Sequence, residues 1–174
     1  MTHLYKAAAA AIASFALLAG ASAASAQTTY GFTQAGEAVT ASGQLIQFVN
    51  VPGVIQTTCN VDIHGTVASD GQSITFDSYD GVNADGVGNL ACNDSLTFPI
   101  IVTAPTASSI SLNEFLVGTR GGPCFEEDYG LAYSGNVATF SGAYFGDPAI
   151  CRASGSITLT TDSANAAVEI VANP

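Results

Sequence analysis

The sequence predicts an all-β domain, an antiparallel β-sandwich or flattened barrel stapled by disulfides. Three observations carry that expectation. In Thr58–Val67, Cys59, Val61, Ile63, Gly65 and Val67 share one face of a period-two element, while Asn60, Asp62, His64 and Thr66 share the other. A second stretch repeats the arrangement: Cys151, Ala153, Gly155, Ile157 and Leu159 alternate with Arg152, Ser154, Ser156, Thr158 and Thr160. Third, no stretch offers a sustained helical stripe, and turn signals separate the alternating runs.

The N-terminus reads as an export signal. His3 and Lys6 give a weakly basic start, Ala7–Ala19 is an uncharged, mostly apolar run, and Ala24-Ser25-Ala26 offers a small-residue cleavage site, so residues 1–26 are expected to be removed. The apolar run is short for a membrane anchor, and no later run is long and apolar enough to span as a helix. The mature chain would have 174 − 26 = 148 residues, enough for one domain with a core. All 14 acidic residues remain, against Arg120 and Arg152, so the formal charge is 2 − 14 = −12. A surface so acidic repels polyanions, which sets aside nucleic acid and anionic lipid head groups as partners.

Taken in order, Gln27–Ala41 has only Tyr30, Phe32 and Val39 as anchors and reads as an N-terminal arm or first edge strand reaching to residue 44, ahead of a single domain over 45–174. Leu45–Ile55 reads as a hairpin turning at Pro52-Gly53. The cysteine-led strand follows, then a turn at Ser69–Gln72 and a return strand carrying Ile74 and Phe76. Asp80–Asn89 reads as a loop. A strand is expected over Leu96–Val102, at an edge or bulge because of Pro99, then a turn at Ala104–Ser108 and a strand to Val117. Gly118–Asp128 reads as a second loop, carrying Cys124 and the run Glu126-Glu127-Asp128. Strands around Tyr129–Tyr133 and Val137–Ala143 flank a turn at Ser134–Asn136. A third loop, Tyr144–Ile150, leads into the Cys151 strand, and Val168 and Ile170 mark the last apolar positions.

If these strands run up and down, the short turns share one end and the long loops the other. All four cysteines then lie near the long-loop end, with Asp77, Asp80, Asp85, Asp94, Glu126, Glu127, Asp128 and Asp147, making an acidic, cross-linked pole. Cys59, Cys92, Cys124 and Cys151 are spaced by 33, 32 and 27 residues without a Cys-x-x-Cys, which favours two disulfides over zinc. Of the three connectivities, Cys59–Cys92 with Cys124–Cys151 is favoured because each closes across neighbouring hairpins.

No catalytic constellation emerges. His64, the last histidine after processing, lies on the polar face without a partner that the sequence identifies, and reads as a solvated strand residue. Glu126, Glu127 and Asp128 invite comparison with a glycosidase carboxylate pair, but acidic loop residues are ordinarily solvated. Asp80, Asn83, Asp85 and Asn89 lack the spacing and terminal glutamate of a calcium-binding EF-hand loop. The expectation is therefore no catalytic, cofactor or metal residue.

The order of features from Cys59 to Leu159 resembles the PraB family, exported bacterial proteins described as activators of alkane oxidation. The matching pieces are the cysteine-led strand ending Gly65-Thr66-Val67, the loop Gly121-Gly122-Pro123-Cys124, and the Cys151 strand with Gly155-Ser156-Ile157. The resemblance implies a secreted or cell-surface, non-enzymatic helper that promotes access to insoluble hydrocarbon. Its partners would be a hydrophobic interface or hydrocarbon, cell-surface proteins, or further copies of itself. A pilin-like or adhesin-like subunit assembling through exposed edges is the alternative. A hydrolase on a β scaffold would need a convergent site that these residues do not supply.

Overall fold

A computed structural model describes residues 28–49, 55–84, 92, 96–118, 123–146 and 151–173. Ten strands form among the described residues: β1 (Thr29–Phe32), β2 (Ala38–Val49), β3 (Ile55–Val67), β4 (Ser73–Asn83), β5 (Ile100–Thr106), β6 (Ser109–Val117), β7 (Cys124–Ser134), β8 (Val137–Phe145), β9 (Cys151–Thr161) and β10 (Ile170–Asn173). Strands β2 to β9 close an antiparallel barrel in chain order, and β1 pairs with β10 as a separate two-stranded sheet. The up-and-down connectivity on which the placement of the long loops depends is the observed one.

Alternation fixes the inward face. Cys59, Val61, Ile63, Gly65 and Val67 are all buried, and Asn60, Asp62 and Thr66 are exposed, because a half-turn per residue sends successive side chains to opposite faces. In β9, Cys151, Ala153, Ile157 and Leu159 are buried, whereas Gly155 is exposed. Its φ of +134° is open to glycine, and a Cβ there would be 3.3 Å from the Leu45 Cα. Gly65 serves a different need, since a β-bulge falls between His64 and Gly65 and Phe76 packs where a side chain would stand. On β4 the bulge leaves Asp77 and Ser78 both exposed and moves the inward set from Ile74 and Phe76 to Tyr79 and Gly81.

The barrel is strongly paired on one side and sparsely on the other. Twelve residue pairs join β2 to β3 and eleven join β2 to β9. Among the described residues, β4 meets β5 only from Ser73↔Thr103 to Phe76↔Ile100, and β7 meets β8 only from Ala132↔Thr139 to Ser134↔Val137. Both short ladders lie at the short-turn end. Toward the long loops the wall therefore divides into β4-β3-β2-β9-β8 and β5-β6-β7, so barrel and sandwich describe opposite ends of one molecule. Phe115, Tyr129, Phe140 and Phe145 fill the β7–β8 seam. Tyr129 stacks on Phe115 at 5.3 Å and meets Phe145 at 4.8 Å between ring centroids.

The β1–β10 sheet covers the short-turn end. Phe32 is buried there, its N–H donating to the Gly71 carbonyl at 2.7 Å. The Tyr133 hydroxyl donates to the Val168 carbonyl, and burial, with Glu169 nearby, holds that phenol un-ionised far above its ordinary range. The segment expected as an arm or edge strand over residues 27–44 thus divides: Thr29–Phe32 is β1, and Ala38 onward already belongs to β2. Other boundaries shift as well. The strand expected from Leu96 begins at Ile100, leaving Leu96 an isolated bridge to Val117. β5 runs on to Thr106, where a turn was expected from Ala104, and β8 absorbs Tyr144 and Phe145. Residues 1–26 and the Pro52-Gly53 turn lie outside the described residues.

Candidate functional site

The disulfides pair Cys59 with Cys92 and Cys124 with Cys151, with Cα separations of 5.7 and 6.1 Å, both within the ordinary disulfide range. All four cysteines are buried at the long-loop end. Cys124–Cys151 joins β7 to β9 across the β7–β8 seam, and the Gly146 N–H donates to Glu126 Oε2 at 3.1 Å over the same gap. Covalent and side-chain links stand where ladder hydrogen bonds do not.

Two features of the barrel present apolar surface. The first is the lumen. A narrow void of about 60 Å³ is bounded by aliphatic and aromatic side chains, apart from Gln47, Tyr79 and Arg152. Burial pushes the Tyr79 hydroxyl up to about 12. The second is a groove on the outer wall, about 580 Å³ in volume, over β5, β6 and β7. Phe98, Pro99, Ile101, Leu116 and Phe125 give it apolar surface, while Glu114, Glu127 and Asp128 supply carboxylates. Ile101 is 42% exposed and Phe125 47%, against the few per cent usual for the core of this barrel.

The acidic groups reach that wall through a paired slip in alternation. Ile110 and Leu112 face inward on β6, but so do Phe115 and Val117, and on β7 the inward set passes from Cys124 to Tyr129 and Leu131. Register is kept, with Asn113 opposite Asp128 and Phe115 opposite Glu126. Glu114 absorbs the slip at a φ of +54°, an uncommon conformation for a residue with a Cβ. Glu114, Glu127 and Asp128 are consequently exposed, whereas Glu126 is half-buried. The Glu126-Glu127-Asp128 run, expected in a loop, lies on strand β7. Ladder pairing made this segment a strand despite its charge, and its carboxylates diverge: Glu126 toward Gly146, the other two into the outer groove.

His64 also differs from the expectation. It is half-exposed on the polar face, as its alternation requires, but it has partners. Its Nδ1 lies 2.9 Å from Thr40 Oγ1, and Thr40 donates to Asp162 Oδ1 at 2.7 Å. Its Nε2 is 3.6 Å from Asp80 Oδ2. Because the Thr40 proton goes to Asp162, Nδ1–H donates to Thr40, and His64 is not placed as a base toward that hydroxyl. The arrangement is a hydrogen-bonded strut joining β2, β3 and the turn after β9, with Asp80 of β4 at the longer distance of an ion pair. Asp85 and Asn89 of the calcium-like loop lie outside the described residues, as do Asp94 and Asp147. No group of three or more metal-ligating side chains occurs among the described residues.

A disulfide-stapled, acidic β-barrel with an apolar lumen and an amphiphilic outer wall defines the class. The particular family follows from comparison. The chain matches the family described as "Alkane oxidation protein activator PraA/PraB-like" over residues 1–168, and it belongs to that family. No curated protein and no solved structure is significantly similar to it. The described residues include no helix long and apolar enough to cross a membrane.

Proposed function

We propose that the protein is an exported, non-enzymatic accessory that promotes access to insoluble alkanes by acting at the boundary between hydrocarbon and water. The observation that carries this reading is the outer groove of β5–β7, where Phe125, Ile101 and Leu116 are presented to solvent beside three carboxylates. Apolar groups gain by leaving water, at roughly 25 cal/mol per Å² of area covered, while Glu114, Glu127 and Asp128 stay hydrated. An amphiphilic wall on a cross-linked barrel adsorbs without having to unfold. The two disulfides fit an oxidising, extracytoplasmic compartment, and the family description supplies the hydrocarbon. A pilin-like or adhesin-like subunit has less support, because barrel closure removes most of the free strand edge through which such subunits assemble.

Purified protein is expected to lower the tension of a hexadecane–water interface in a pendant-drop measurement. An Ile101→Ser/Phe125→Ser variant removes about 1 kcal/mol of transferable surface at each half-exposed position and should adsorb more slowly and reach a higher final tension. A variant indistinguishable from the parent chain, or a parent no better than an equally acidic control protein, would refute the interfacial mechanism.

A further inference from the structure

The barrel lumen is lined mostly by apolar side chains, and that lining extends along several strands. On β9 its lining runs from Cys151 to Leu159, and elsewhere it passes from Gln47 and Leu96 near the long loops to Ile110 and Leu131 deeper in the barrel. Eight residue steps at the rise of a strand, inclined at the tilt usual for a closed barrel, correspond to about 20 Å along the axis. A void of about 60 Å³ bounded by that lining leaves no room for a guest without rearrangement, and a lining this apolar favours an apolar guest. A chain entering it must move side chains aside, and the β7–β8 seam is where that costs least. Among the described residues no ladder pairing joins Cys124–Leu131 to Phe140–Phe145, so widening there, within the reach that the Cys124–Cys151 disulfide allows, separates the rings of Phe115, Tyr129, Phe140 and Phe145 and costs the Gly146–Glu126 hydrogen bond but no strand ladder.

We infer that the lumen is a binding site for a linear saturated hydrocarbon chain, held between the two unpaired stretches of β7 and β8. The inference rests on the reading of this protein as a partner of alkanes but concerns a different surface from the outer groove. The chemistry is shared by an n-alkane and the acyl chain of a lipid. Arg152 is the charged residue on the lining and would pair with a carboxylate, so the n-alkane is assigned from the hydrocarbon of the family description, and decanoate is the arm that separates the two sources.

The test is methyl NMR of the full disulfide-bonded protein in water saturated with n-decane, cyclodecane or decanoate. n-Decane is expected to shift the methyls of Ile63, Leu112, Ile157 and Leu159, with cyclodecane leaving them in place. Ala153→Leu, which fills the lumen from β9, should weaken the n-decane response at least tenfold. Val61→Leu provides a second occluding variant should the first fail to fold. Shifts confined to Ile101 and Leu116, no shift at all, or equal responses to n-decane and cyclodecane would overturn the site. Decanoate shifting the lumen methyls where n-decane does not would overturn the alkane assignment in favour of an acyl chain. The occluding variants leave Ile101 and Phe125 intact, so a failed lumen and a failed interfacial activity give separate results.

Discussion

Removal of one disulfide should hurt this barrel more than removal of the other, although chain entropy alone predicts near equality. Cys59–Cys92 closes 33 residues and Cys124–Cys151 closes 27. In the loop-entropy model these are worth about 3.7 and about 3.5 kcal/mol, a difference of about 0.2 kcal/mol in the opposite sense to the expectation. The structure adds an asymmetry. Cys59 lies on β3, which is laddered to β2 and β4 at that very residue. Cys124 and Cys151 instead flank a seam where β7 and β8 have no described pairing, so the bond is the principal tie across it. Cys124→Ala/Cys151→Ala should therefore lose at least about 1 kcal/mol more than Cys59→Ala/Cys92→Ala in urea denaturation. Hydrogen exchange should show why: amides of Cys124–Leu131 and Phe140–Phe145 lose protection beyond the global loss, whereas those of β3 follow it. Equal stabilities with uniform exchange in the two variants would refute the idea that the seam depends on its staple.

Two further outcomes follow from the core. Tyr79 titrates at about 12 when folded, above its ordinary value of 10.0, because burial disfavours the phenolate, and Tyr133 is raised further for the same reason. A phenol kept neutral in the fold stabilises it fully below about pH 10, where the unfolded chain is neutral too. That contribution is lost as pH rises through the folded value. Stability measured by urea titration should thus fall between about pH 10 and 12, with the phenolate absorbance of Tyr79, Tyr129 and Tyr133 appearing late. A single ordinary titration of all tyrosines would contradict it. Gly65→Ala should cost roughly 1 to 3 kcal/mol, since the new Cβ meets the Thr75 carbonyl oxygen and lies 2.8 Å from the Phe76 Cα. An unchanged urea midpoint would show that the bulge relaxes freely.

The barrel was legible where strand alternation is uninterrupted and the turn is short. Cys59–Val67 and Ser69–Gln72 specify an inward face and a reversal, and three such reversals were enough to place every cysteine at one end. Legibility failed where a strand continues through charge. Glu126-Glu127-Asp128 reads as loop because local preference disfavours it in a strand, but pairing with Asn113 and Phe115 on β6 overrides preference. The outer groove had a signal that alternation alone conceals. Ile100-Ile101, Phe115-Leu116 and Cys124-Phe125 are adjacent apolar pairs, and in a strand one member of each must face away from the core. The partners of His64 had no local signal, because Thr40 and Asp162 are 24 and 98 positions away in sequence and meet it only through the β2–β3 ladder and the turn after β9.

Strand pairing also explains why the two apolar features coexist. A barrel laddered all round would hold its interior more rigidly, and its outer wall would carry only those apolar residues that adjacent pairs force outward. Here the slip at Glu114 breaks alternation on β6 and β7 together, bringing Glu127 and Asp128 to the groove that Phe125 and Leu116 share. On its other edge β7 is unpaired with β8 from Cys124 to Leu131 and relies on Cys124–Cys151 and the contact from Gly146 to Glu126 for closure. One face of β7 therefore meets solvent as an amphiphilic surface while its free edge borders the lumen. A hydrocarbon chain held on the outer wall, as proposed, would lie one strand away from the seam. The short ladder at Ala132–Ser134 and the β1–β10 cap keep the opposite end shut. The proposed adsorption at an interface and the inferred admission of a single chain would thus call on the same strand, the first through side chains turned out of register and the second through hydrogen bonds it does not make.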